Sequence, residues 1–305
     1  MVYILLIVYL PLLCCVIVAL KFIWRVEQQK RKFANMPGPR GWPIVGNLFQ
    51  VPRSAETFPN GIVEQANEFA ANGLAAIWLV HRCFVTPNNG KTVKAIVDST
   101  EEINKGSDYD HFLPWLGKGL LLKSGDDWRQ RRRLLTPTFH FSQLDSYVTA
   151  MNRHSKVLVD DIIIDHVGEK IDLYPLIKLC TLDIICETAM GKELDSQRRP
   201  DQPYVRAVSE MAALIIEFVM NAVYWTKTMR VLVGKQQELE RLAGIAKGFT
   251  AQVIAERSVA LANGEVEENR RTFLDLLLMQ SGDNRLSNKE LEEEVETFMF
   301  EGRLT

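Results

Sequence analysis

Gly125-Asp-Asp-Trp128-Arg-Gln-Arg-Arg132-Arg133-Leu-Leu-Thr-Pro137-Thr-Phe-His-Phe141 is the stretch on which the reading of this chain turns. Asp126 and Asp127 suit the first turn of a helix and Pro137 suits its stop, so most of the run is predicted to be one short helix. Trp128 and Arg132 are four residues apart and share a face of that helix, as do Arg129 and Arg133. An indole N–H beside guanidinium forks makes a donor-only surface suited to carboxylates or phosphates. A plain solvated cationic face is the other reading of the same run. A nucleic-acid surface is disfavoured, because the formal net charge of the whole chain is −2 and binding by counterion release calls for a basic domain.

Working outward, Val2 to Leu20 carries no charge and is followed by Lys21, Arg25, Lys30, Arg31 and Lys32. At about 1.5 Å per residue the apolar run reaches roughly the 30 Å of a bilayer core. The basic flank places the downstream chain in the cytosol by the positive-inside rule. A cleaved secretory signal would carry a basic residue before the apolar run and small residues at a cleavage site, and neither is present. The expectation is an uncleaved single-pass anchor over residues 1–25, in the endoplasmic reticulum membrane. Residues 26–47 follow as a basic and proline-rich linker, in which Pro37, Pro39 and Pro43 fix φ and remove donors.

Hydrophobic residues make up 47% of the chain, enough for a sizeable core behind the anchor. Cys14 and Cys15 fall in the anchor, and Cys83, Cys180 and Cys186 lie beyond it. Their spacing suits neither a metal cluster nor a disulfide framework, so they read as buried thiols in a reducing compartment. His81, His111, His140, His154 and His166 show no zinc spacing. Neither a phosphate-cradling Gly-rich loop nor a Gly-x-Ser-x-Gly elbow occurs.

The rest is predicted to be mainly α with a small β region. Ala75–Val80 and Cys83–Thr86 read as paired short strands closed by Pro87, and Lys91–Val97 as a short amphipathic helix. Asp108–Gly119 reads as a loop with exposed aromatics Tyr109, Phe112 and Trp115. Long helices are predicted over Phe141–His166, Leu173–Met190, Tyr204 to about Val233, and Lys235–Ala262. Asn263–Arg270 reads as a surface loop. Ser287-Asn-Lys-Glu290 is a capping box that starts a final helix. Leu291, Val295, Phe298, Met299 and Gly302 share its apolar face, Glu292, Glu293 and Glu296 spread outward, and Glu301 sits on the flank.

Six segments then recur in one order: Pro114–Leu121, Trp128–Phe141, Leu182–Gly191, Tyr204–Val208, Phe273–Leu278 and Glu294–Gly302. Together with the anchor and proline linker they resemble the cytochrome P-450 superfamily of haem-thiolate monooxygenases, and within it family 4, the fatty-acid hydroxylases. The resemblance spans nearly the whole chain. It implies roughly the first three-fifths of the cytochrome P-450 fold, behind a single transmembrane anchor helix, with a partial cytochrome P-450 domain over 48–305 ending early in the distal helix.

The resemblance implies haem (iron protoporphyrin IX) as cofactor, with Trp128 and Arg132 holding a propionate. Glu301 stands at the position that in some family-4 members esterifies a haem methyl. Phe112, Trp115 and Phe218 would shape a substrate channel. The implied chemistry is hydroxylation of an aliphatic C–H of a fatty acid or similar lipid with O2. Electrons would come from an NADPH-cytochrome reductase, with a cytochrome b-type donor as a second source.

The resemblance breaks after Gly302, where family members continue with His-Asp-Thr-Thr and this chain has Arg303, Leu304 and Thr305. Thr305 falls in register with the first family threonine. None of the five cysteines lies in the Phe-x-x-Gly-x-Arg-x-Cys-x-Gly setting of the axial thiolate, so no metal ligand is assigned. Three expectations follow: haem binding is poor, monooxygenase activity is lost, and the apolar stripe between Ser287 and Gly302 stays uncovered. The alternative is a non-catalytic, truncated binding protein that occupies the reductase through Arg129 to Arg133.

Overall fold

The computed structural model describes residues 2–51, 57–139, 141–267, 271–280 and 286–304. The chain divides into two compact units, Met1–Glu102 and Ile103–Thr305.

The first unit carries α1 (Val2–Lys32), α2 (Phe58–Glu68), the strands β1 (Leu74–Leu79) and β2 (Arg82–Pro87), and α3 (Gly90–Val97). The strands pair antiparallel with Leu74 opposite Pro87 and Leu79 opposite Arg82. The two-residue turn puts Val80 at φ +57°, a costly conformation for a β-branched residue. Its amide donates to the Val45 carbonyl at 3.1 Å, which holds the turn in place. Burial of Ala75, Ala76 and Ile77 gives this unit its small core. Asn89 caps α3 through a reciprocal pair with Thr92.

The proline stretch over residues 36–47 is non-helical, as predicted, whereas residues 26–32 of the linker belong to α1; the proline stretch is no free spacer. Ala76 N–H donates to the Pro37 carbonyl at 2.8 Å. The Asn47 amide donates to the Trp78 carbonyl, while Trp78 N–H donates to Asn47 Oδ1 at 2.8 Å. Gly46, at φ +62°, leaves room only for hydrogen, because a Cβ there would strike the Trp78 carbonyl.

For the anchor, α1 is helical over the expected residues and ends in Lys30, Arg31 and Lys32. No helix is long and apolar enough to cross a membrane among the described residues.

The second unit is helical. It holds α4 (Leu113–Leu116), α5 (Gly125–Leu135), α6 (Phe141–Lys156), α7 (Leu173–Met190), α8 (Pro203–Met220), α9 (Lys227–Leu232), α10 (Lys235–Ala262), α11 (Phe273–Leu278) and α12 (Asn288–Leu304). The bounds of α7 and α10 match the predicted ones. Asp172 caps α7 by accepting the Tyr174 amide, and Gly191 ends it in the left-handed conformation. The helix predicted from Phe141 instead widens into π turns over Val157–Ile163, a stretch rich in β-branched residues. The one predicted from Tyr204 breaks at Asn221, whose Oδ1 accepts the Val223 amide at 3.1 Å and so competes with the helix ladder. The Trp225 indole then donates to the freed Val219 carbonyl at 3.0 Å.

The core gathers Leu182, Cys186, Met190, Met211, Ile215, Leu239, Ala246, Leu274, Val295 and Met299. α8 lies along α10, and α12 packs on α7, α10 and α4. Cys180 and Cys186 are buried as expected, whereas Cys83, on the β2 strand, is only partly buried; burial pushes the Cys186 thiol far above its ordinary value. The predicted loop Asn263–Arg270 ends outside the described residues.

Three expectations are corrected here. Asp108–Gly119 is not a loop: Ser107–Phe112 forms a 3-10 helix leading into α4. Trp115 is 1% exposed, because its ring sits at 4.9 Å from that of Phe300, edge to face. The apolar stripe of α12 is not uncovered either, since Leu291, Val295 and Met299 are buried beneath neighbouring helices. Glu296 points inward rather than outward and is buried with Glu294, because α12 is wrapped on several sides instead of lying on the surface.

Candidate functional site

The short helix α5 is where the decisive stretch lands, with Asp126 and Asp127 in its first turn as predicted. Ser124 precedes it without capping it, because its Oγ accepts the Lys105 amide at 2.9 Å. Leu135, fully buried, seats the far end. Of the five basic and polar residues Arg129 to Arg133, only Arg131 turns inward.

Arg131 reaches two glutamates on α12. Its Nη2 lies 2.5 Å from Glu290 Oε1 and its Nη1 lies 3.0 Å from Glu294 Oε1. The second Glu294 oxygen accepts the Leu120 amide at 3.0 Å. Glu290 closes the predicted capping box, accepting from Ser287 Oγ at 2.8 Å and from Ser287 N–H at 3.1 Å. The two carboxyls respond in opposite senses. The Ser287 bonds, helped by Arg131, hold Glu290 below the usual carboxylate range. Burial raises Glu294, with the Leu120 amide and Arg131 pulling the other way.

The loop between α4 and α5 threads against α12 at Gly119. A Cβ there would run into Thr297 Oγ1 and the Glu293 carbonyl. Gly119→Ala is therefore expected to cost about 1–3 kcal/mol of stability, read from the urea midpoint. An unshifted midpoint would show that the loop yields instead.

Trp128 is half-buried and Arg132 and Arg133 are exposed on the remaining faces of α5. Among the described residues no acidic side chain forms an ion pair with Arg132. A guanidinium with its donors unspent, one turn from an indole, fits a carboxylate-bearing ligand such as a haem propionate. Glu301 lies near the end of α12, exposed. Partial shielding raises its carboxyl, opposed by the charge of Lys105. The Lys105 backbone amide is itself tied to Ser124, the residue before α5. Thr305 lies outside the described residues.

The expected channel residues do not form one wall. Phe112 packs on Phe300 at 5.5 Å and so joins Trp115. Phe218 belongs to a second cluster, with the His111 ring at 6.1 Å, the Tyr224 ring at 6.0 Å and Arg230 over its face at 5.1 Å. A cavity of 590 Å³ lies elsewhere, lined by Tyr147, Glu187, Thr188, Arg257 and Thr272 among others.

Sequence reasoning missed Arg131, Glu294, Glu296 and Thr250. The indole of Trp115 donates to Glu296 Oε2 at 2.8 Å, and Thr250 Oγ1 meets Glu296 Oε1 at 2.5 Å. The one local signal was the four-residue spacing of Glu290 and Glu294, which puts two acids on one helix face.

The family model described as Cytochrome P450 matches residues 36–305. The chain is 37% identical over 304 residues to Cytochrome P450 4V2 of Pongo abelii, covering 94% of this chain and 58% of that protein. The human 4V2 protein is 36% identical with the same coverage. Cytochrome P450 4c3 of Drosophila melanogaster is 32% identical over 292 residues, covering 89% of this chain and 54% of its own length. The chain thus spans a little over half the length of these curated relatives, and it belongs to the cytochrome P450 family, with relatives of the type numbered 4.

Proposed function

We propose that this chain provides the propionate-binding helix and the start of the distal helix of a haem-dependent monooxygenase that hydroxylates an aliphatic C–H of a fatty acid or similar lipid. Haem, when bound, supplies the activation of O2. Arg132 and Trp128 contribute N–H donors to a haem carboxylate, while Arg131 keeps α5 docked on α12. Glu301 contributes a carboxyl whose raised affinity for protons suits a place beside a partly dry ligand edge. Phe112, Trp115 and Phe300 contribute an apolar wall suited to an alkyl chain. A membrane-bound NADPH-cytochrome reductase, with a cytochrome b-type donor beside it, fits as electron source. The charge-free run to Leu20 and the basic end of α1 support an endoplasmic reticulum anchor.

The observation that carries this reading is the division of labour on α5: Arg131 saturated by two glutamates, Arg132 one turn from Trp128 and open to solvent. Hemin titration followed by Soret absorbance tests it. Arg132→Leu is expected to weaken hemin binding about ten- to a hundredfold, the value of one charge-assisted hydrogen bond of roughly 1.5–3 kcal/mol. Equal affinity of the variant and the parent chain would reject the role of Arg132.

A further inference from the structure

Glu296 is a buried carboxyl that no ion pair neutralises among the described residues. It is 1% exposed and sits where α4, α10 and α12 meet. Its two oxygens are shared between neutral donors, the Trp115 indole at 2.8 Å and the Thr250 hydroxyl at 2.5 Å. An isolated charge in such a place is costly, and a carboxyl meets that cost by holding its proton. Both protonation states fit the same heavy atoms. As a carboxylate, Glu296 accepts from both partners. As a neutral acid, its carbonyl oxygen still accepts from Trp115, whose indole has no other option, and its O–H donates to Thr250 Oγ1.

We propose that Glu296 is a protonation-dependent positioning residue for Trp115, clamping α4 onto α12 when neutral and loosening it when ionised. The claim goes beyond the proposed reaction and needs neither haem nor substrate. Trp115 is the part of the Phe112–Trp115–Phe300 aromatic cluster that α4 contributes, so the state of Glu296 sets how firmly that cluster is held.

Charged groups approach Glu296 from neighbouring elements, and Glu294, on its own helix, is tied to Arg131 and the Leu120 amide. From α10, Lys247 favours the ionised form, but its Nζ donates to the Pro114 carbonyl at 2.7 Å. On its own helix Glu292 opposes ionisation. From α7, Asp183 accepts the Ser196 and Gln197 amides, and Glu187 is held by Arg153 and His154. From α4 the facing group is the neutral indole. Burial dominates and carries the Glu296 carboxyl up to about 7.

In an opened state, with α4 lifted and Glu296 in water, the carboxyl returns to its ordinary range. The closed state then holds the proton more tightly, so opening is favoured as pH rises between the two values and levels off above about 7. Hydrogen exchange of the backbone amides of residues 113–119 in the 305-residue chain, corrected for the intrinsic pH dependence of exchange, reads that opening. Between pH 5 and pH 8 the opening constant is expected to rise roughly ten- to a hundredfold. Glu296→Gln, which keeps an acceptor for Trp115 and a donor for Thr250, is expected to give a pH-independent opening constant. Thr250→Val, which removes a donor to the ionised form, is expected to move the midpoint upward. A flat profile in the parent chain, a profile in Glu296→Gln that still rises, or an unmoved midpoint in Thr250→Val would each overturn the proposal.

Discussion

Arg131→Leu is expected to destabilise the chain by about 3–5 kcal/mol, read as a lower urea midpoint with an unchanged slope. The loss comes less from the attraction itself than from what remains behind. Glu294 is fully buried and would keep only the Leu120 amide as partner, so a carboxyl stripped of its cation must stay charged in a dry place or take up a proton. Arg131→Leu/Glu294→Leu is therefore expected to recover much of the loss, because replacing both partners of a buried pair by apolar side chains is often near neutral. Arg132→Leu and Arg133→Leu provide the contrast. Both side chains are exposed, and each change is expected to stay within about 0.5 kcal/mol of the parent. An Arg131→Leu variant as stable as these two would show that α5 is seated by Leu135 and its apolar neighbours alone.

The second large effect is expected at Asp275. This carboxylate is fully buried; one oxygen accepts a single bond and the other accepts three. Arg257 Nε and Nη2 each lie 2.6 Å from one of its oxygens. The Thr272 amide at 2.7 Å and Thr272 Oγ1 at 2.9 Å complete the set. Asp275→Ala removes one half of the capping box of α11 and leaves a guanidinium that is 18% exposed without its counter-ion, at an expected cost of about 3–5 kcal/mol. Asp275→Asn keeps the shape but offers one acceptor oxygen in place of two and no charge, so an intermediate loss is expected. The check is thermal unfolding of the three proteins side by side. Asp275→Asn matching the parent would mean that the cap, and not the charge, holds α11.

Much of this architecture was legible along the chain. The bounds of α7 follow from Asp172 and Gly191, the hairpin follows from two short β-branched and aromatic runs, and the start of α12 follows from Ser287 and Glu290. Each of these rests on partners within a few residues of each other. The unreadable features rest on partners far apart in sequence. Glu296 read as outward, and Glu294 went unassigned, because glutamates are seldom buried unless paired. Their partners Arg131, Leu120 and Trp115 stand 163, 174 and 181 residues away. Trp115 read as exposed for the same reason, since nothing near Pro114 announces Phe300. On α5 the face shared by Trp128 and Arg132 was readable from spacing, while the inward turn of Arg131 depended on where α12 lay.

The engagement of Arg131 has a further consequence for whatever anion meets α5. A helix of eleven residues is marginal alone in water, and ordering it upon arrival of a ligand would drain affinity. Here the ordering is finished beforehand, by groups the ligand never touches. On the proposed reading, an incoming carboxylate would find Trp128 and Arg132 on a backbone already fixed, with two side chains left to settle. Preorganisation of this kind lowers the entropic toll of association, so the strength of the clamp can drift through Trp128 and Arg132 while the fold stays in the keeping of Arg131.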